Sequence, residues 1–124
     1  MRKFTRWTLY ALWLSLVLYL SLVPSDDAPD VSIPYIDKAA HFGFYFGAVF
    51  LYLNAKLHLS SMMAQKRVVF SAVLGHFLMS GGVELMQMFM SVGRAAEWID
   101  LLFNAIGAFL APFFYWFWSK KISA

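Results

Sequence analysis

Cysteine is absent from the 124 residues, which excludes disulfides and thiolate metal sites and leaves the redox compartment open. Charge is scarce as well: 14% of residues are charged, against about 25% in a soluble domain. Also missing are a Ser-His-Asp pattern, a His-rich metal motif and a phosphate-cradling glycine loop. Catalysis by a familiar constellation is therefore not expected, and neither a cofactor nor a metal is. There is no heptad array, low-complexity tract or half-and-half symmetry of the kind seen in inverted-repeat transporters. What remains is apolar. Hydrophobic residues make up 61% and aromatics 19% of the chain, and its mean hydropathy is +0.63.

The apolar residues fall into four runs, predicting an all-α, polytopic membrane protein with four transmembrane helices in one domain, residues 1–124. The helices are expected at about residues 7–23, 39–57, 68–92 and 99–118. The first run is longer than a signal-peptide core, and no small-x-small cleavage site precedes Pro24, so it is expected to be retained. Pro24, Pro29 and Pro34 make the following segment a loop, because proline lacks the amide donor and disfavours helix before it. Between Lys38 and Lys56 lie 17 residues. They supply about 26 Å of helix, enough for the hydrocarbon core once the ends snorkel. The Gly43…Gly47 spacing suggests close helix packing.

Basic residues set the expected orientation. A net charge of +3 and a pI of about 9.3 could suggest nucleic acid. Here, however, the cations sit in small groups between apolar runs, which is a topology signal, and no nucleic-acid partner is expected. Arg2, Lys3, Arg6, Lys56, Lys66, Arg67, Lys120 and Lys121 fall on one side, leaving Lys38 and Arg94 on the other. By the positive-inside rule both termini are cytoplasmic (N-in/C-in) in an inner or plasma membrane.

Polar residues within these runs form stripes at helical spacing. The second run carries Asp37, His41 and Tyr45. The third carries His76, Ser80, Glu84, Gln87 and Ser91, and the fourth Glu97, Asp100 and Asn104. Glu84 stands about 25 Å of helix beyond Arg67, so these groups reach a similar depth near the outer face. Ionisable groups at such depth are costly and face a bundle interior or a polar cavity. A polar site open to the outside is expected. Its ligand-binding candidates are Asp37, Lys38, His41, Tyr45, Glu84, Gln87, Arg94, Asp100 and Asn104. Glu84, Asp100 and His41 are the residues that could serve as acid or base. Three plainer roles stand beside these: Asp37 as a helix N-cap, Glu84, Arg94 and Asp100 as an ion-pair network locking helices, and His76 as a satisfied interior histidine.

The segment Asp37-Lys38-Ala-Ala-His41-Phe42-Gly-Phe-Tyr45 resembles the DK-x-x-HF-x-x-Y motif of the VanZ-like family of small bacterial membrane proteins. Gly82-Val-Glu84-Leu-Met-Gln87, Arg94, Asp100 and Asn104-Ala-Ile-Gly107 resemble that family's second motif. The likeness spans residues 24–111. It implies a cell-envelope protein with an association to teicoplanin susceptibility; the outward polar site suggests membrane lipids or a lipid-linked cell-wall intermediate as partners. Two alternatives are an enzyme acting on a lipid-linked phosphate or glycolipid, and a structural accessory subunit. A proton-coupled efflux protein is disfavoured because the first run holds no carboxylate. The oligomeric state does not follow from the sequence.

Overall fold

A computed structural model describes residues 2–23, 36–57, 65–90 and 98–123, and within them every element is helical. Four helices follow in order: α1 (Lys3–Leu22), α2 (Ile36–Leu57), α3 (Lys66–Met90) and α4 (Trp98–Ser123). Each expected helix is present, with α2 starting three residues earlier and α4 running five residues further than periodicity indicated. Pro112 lies inside α4. It leaves the Ala108 carbonyl without its helical amide, a loss that neighbouring helices make tolerable.

Side-chain pairings give the helix directions. Lys38 meets Asp100, Phe46 meets Phe114 and Phe50 meets Trp118, so α2 and α4 run parallel. Tyr10 meets His76 and Gln87 meets Ser21, so α1 and α3 are also parallel. Trp13 bonds Phe44 while Tyr10 packs on Tyr52, which makes α1 antiparallel to α2. The result is an up-down-up-down bundle in which α2 touches all three other helices and shares its largest interface with α4. Both described chain ends lie at one end of the bundle; the N-termini of α2 and α4 lie at the other.

The α2–α4 contact is a backbone contact. A methyl added at Gly107 would strike the Phe42 carbonyl oxygen and come within 3.0 Å of the Phe46 nitrogen. Below it Phe42, Phe46 and Phe50 stack along α2 at one-turn steps, with centroids 5.7 and 6.3 Å apart, and meet Phe114, Tyr115 and Trp118. The Gly43…Gly47 pair behaves otherwise than its spacing suggested. Gly43 faces open space, whereas a methyl at Gly47 would lie 2.6 Å from the Trp13 indole. Gly47 thus makes room for a ring of α1 whose Nε1–H donates to the Phe44 carbonyl at 2.9 Å.

The bundle is polar inside and apolar outside. Ser80, Glu84, Gln87, Asp100 and Asn104 are buried, while Phe70, Leu78, Phe89 and Phe113 are well exposed. α3 and α4 are long and apolar enough to cross a membrane. Among the described residues α1 and α2 fall short of that measure, so the expected four spans are not established by helix length and apolarity. The cause is local: α1 carries Arg6, Trp7 and Tyr10, and α2 carries His41, Tyr45, Tyr52, Asn54 and Lys56.

Gly107→Ala is expected to destabilise the bundle by about 1–3 kcal/mol through overpacking. Gly43→Ala is expected to stay within roughly 0.5 kcal/mol of the parent. Thermal unfolding of both variants in one detergent, followed by size-exclusion fluorescence, checks the difference.

Candidate functional site

The parallel arrangement of α2 and α4 brings their first turns side by side, and with them the motif residues. Asp37 and Asp100 both occupy first turns. Each helix N-terminus carries a partial positive charge, so two adjacent N-termini repel unless acids sit there. Asp37 is therefore a first-turn residue rather than the cap expected of it; the cap position lies outside the described residues. Its carboxylate is 62% exposed, the outermost part of the cluster.

Lys38 joins the two acids. Its Nζ donates to Asp100 Oδ1 at 2.6 Å and lies 3.4 Å from Asp37 Oδ2. His41, one turn deeper, places Nδ1 3.0 Å from Asn104 Oδ1. Its Nε2 is 3.6 Å from Asp100 Oδ2 and 3.8 Å from Asp37 Oδ1. Exposure falls steadily along the α2 face, from Asp37 through His41 at 12% to Tyr45 at 1%. Beneath the rim, Glu84 of α3 is close enough to act electrostatically on the Tyr45 phenol. Of the expected lock of Glu84, Arg94 and Asp100, the described residues give the Asp100 side, which pairs with Lys38. Arg94, Glu97 and Ser91 lie outside the described residues.

Gln87 points elsewhere. Its Nε2 donates to the Ser21 carbonyl at 2.6 Å, taking up one of the last α1 carbonyls, which have no helical amide. His76 is a satisfied interior histidine. Its Nδ1 lies 2.6 Å from the Ala72 carbonyl, which can only accept, so in the neutral ring Nδ1 carries the hydrogen. Nε2 then accepts from the Tyr10 hydroxyl at 2.7 Å. Sequence reasoning left out the contribution of α1, where Arg6, Tyr10, Trp13, Val17 and Ser21 all face inward. The signal was available, since these positions advance by four, three, four and four residues.

One set of ligand-type atoms converges. Asp37, His41 and Asp100 each offer an atom within 4.8 Å of the others, spacing that suits a small divalent cation. The Lys38 ammonium already supplies a positive charge to both carboxylates, so the arrangement fits a lysine-centred cluster better than a metal centre. Two aspartates, one lysine and two helix N-termini, each worth about half a positive charge, leave the cluster close to neutral.

This geometry defines a class: a small helical bundle, apolar outside, with a polar cluster at one end between two parallel helix N-termini. The chain belongs to the VanZ/LLP1 family, whose sequence profile matches residues 2–119. Comparison with curated proteins and with solved structures finds no match.

Lys38→Met removes the partner of a buried carboxylate and is expected to cost roughly 3 kcal/mol or more. Adding Asp100→Leu to that variant should regain most of the loss, since a buried pair is nearly neutral against apolar packing. Unfolding midpoints of the two single variants and the double variant in one detergent complete the cycle.

Proposed function

We propose that this chain is a bacterial envelope protein that spans the cell membrane four times and binds a polar lipid head group at its outer end. The carrying observation is the cluster of Asp37, Lys38, His41, Asp100 and Asn104 at one end of a bundle whose outer surface is apolar. A buried ion pair of this kind adds little stability over apolar packing, so stability alone does not account for it. Asp37 at the rim accepts hydrogen bonds from hydroxyl or amine groups. Lys38 attracts a phosphate. Asp100 and Asn104 hold Lys38 and His41 in position, with Glu84 and Tyr45 beneath.

Orientation in this reading follows charge. Eight of the ten basic residues occupy the end that holds both chain termini, which the positive-inside rule assigns to the cytoplasm. The cluster then faces outward, where lipids and lipid-linked cell-wall intermediates present their head groups. An effect on teicoplanin susceptibility follows from occupancy of that site. Turnover of the bound lipid is the lesser reading, because the cluster's acid and base groups are already engaged with one another.

A second reading has its own observation: Lys38 and Asp100 form a short, largely buried pair that locks α2 to α4. The two readings separate experimentally. Wild-type protein extracted with its lipids should retain a defined envelope lipid in native mass spectrometry. Asp37→Asn and His41→Gln should lose that lipid and shift teicoplanin susceptibility, with Asp37→Asn unfolding within roughly 0.5 kcal/mol of the parent. Unchanged lipid retention with lowered stability alone would leave only the structural lock.

The absence of cysteine makes the orientation directly testable. In intact cells an impermeant maleimide should label Ile36→Cys at the outer end and spare Lys121→Cys until the membrane is opened. Labelling in the opposite order overturns the assigned orientation.

A further inference from the structure

At the end of the bundle away from the cluster, an apolar groove of about 580 Å³ lies between α3 and α4. Phe70 and Phe77 of α3 and Phe109 and Phe113 of α4 form its walls, with Lys66 and Trp116 at its mouth. From Lys66 to Phe77 the groove follows about 17 Å of helix, against about 15 Å for one leaflet's half of a 30 Å hydrocarbon core. An extended acyl chain of one leaflet matches that length.

The mouth is cationic. Lys66 stands in the first turn of α3, at the positive end of the helix dipole, with Arg67 beside it. Across the groove, Lys120 of α4 places its Nζ 3.9 Å from the Trp116 ring centroid, and that ring itself forms part of the mouth. No Asp or Glu occurs in residues 2–23, 39–57, 65–83 or 101–123, the described segments that lead to this end. Charge complementarity therefore selects an anionic head group, and the apolar walls select a chain attached to it.

We propose that the α3–α4 groove binds one acyl chain of an anionic phospholipid whose phosphate rests against Lys66 and Lys120. The site is separate from the Asp37–Asp100 cluster and does not depend on the function assigned to that cluster. It stands in the leaflet nearer the chain termini, where juxtamembrane lysines draw anionic lipid.

The test uses the full-length protein in mild detergent, offered equal amounts of phosphatidylglycerol and phosphatidylcholine with identical acyl chains. Native mass spectrometry reads which lipid stays bound. Wild type is expected to retain one phosphatidylglycerol in clear preference to phosphatidylcholine. The Lys66→Gln/Lys120→Gln double variant should hold phosphatidylglycerol about thirtyfold less tightly and phosphatidylcholine unchanged, from two lysines' interfacial attraction. Leu74→Trp, which fills the groove and keeps the charges, should lower retention of both. Circular dichroism should show the same helicity in all three proteins. Equal retention of the two lipids by wild type overturns the proposal, as does an undiminished preference in the double variant or full retention by Leu74→Trp. A dimer that forms while lipid is lost would assign the groove to a second copy of the chain and overturn it too.

Discussion

Gly107 lets α4 approach α2 until backbone meets backbone at Phe42 and Phe46, and the geometry of the polar cluster depends on that approach. One helical turn nearer the N-termini, the same closeness brings Asn104 to His41; a further turn brings Asp100 to Lys38. Parallel helices packed this tightly set like dipole ends side by side, a repulsion that first-turn acids relieve. Asp37 and Asp100 supply those acids, and Lys38 keeps the two carboxylates from repelling each other. The stacked phenylalanines of α2, wedged against Phe114 and Trp118, extend the same interface along the helices.

The two ends of the bundle differ in chemistry. One gathers the carboxyl groups of Asp37, Glu84 and Asp100 with a single described lysine. The other carries eight cations and draws no acidic side chain from its own segments. Between them the interior is threaded with hydrogen-bonded polar groups while large apolar side chains face outward. Such a distribution suits a solvent of lipid, in which an inward polar group must find a protein partner and an outward phenylalanine needs none.

Much of the face assignment was legible beforehand. On α3 the stripe of His76, Ser80, Glu84 and Gln87 is buried, as its three- and four-residue spacing indicated. The stripe of α4 from Asp100 through Asn104 is buried as well. Pairings were less legible. Spacing did not pair Asp100 with Lys38, which the fold brings to it, nor Gln87 with the Ser21 carbonyl. A helical period identifies the inward face of one helix but carries no information on which residue of another helix stands opposite. The inward face of α1 went unread because Arg6, its one charged member, served only as a topology signal and the rest carry no charge.

Composition and periodicity by themselves determined the helical class, the four helices, their inward stripes and the segregation of basic residues, and the resemblance of the motif residues indicated the family. Each of these is a local property, set by residue type and by 3.6 residues per turn. Tertiary structure alone decided that α2 and α4 run side by side at backbone distance, that Gly107 rather than Gly43 makes this possible, and that Lys38 closes on Asp100. It alone decided that a groove lies between α3 and α4, along α3 from Lys66 to Phe77. These outcomes depend on the complementary shapes of two surfaces, which no single helix encodes.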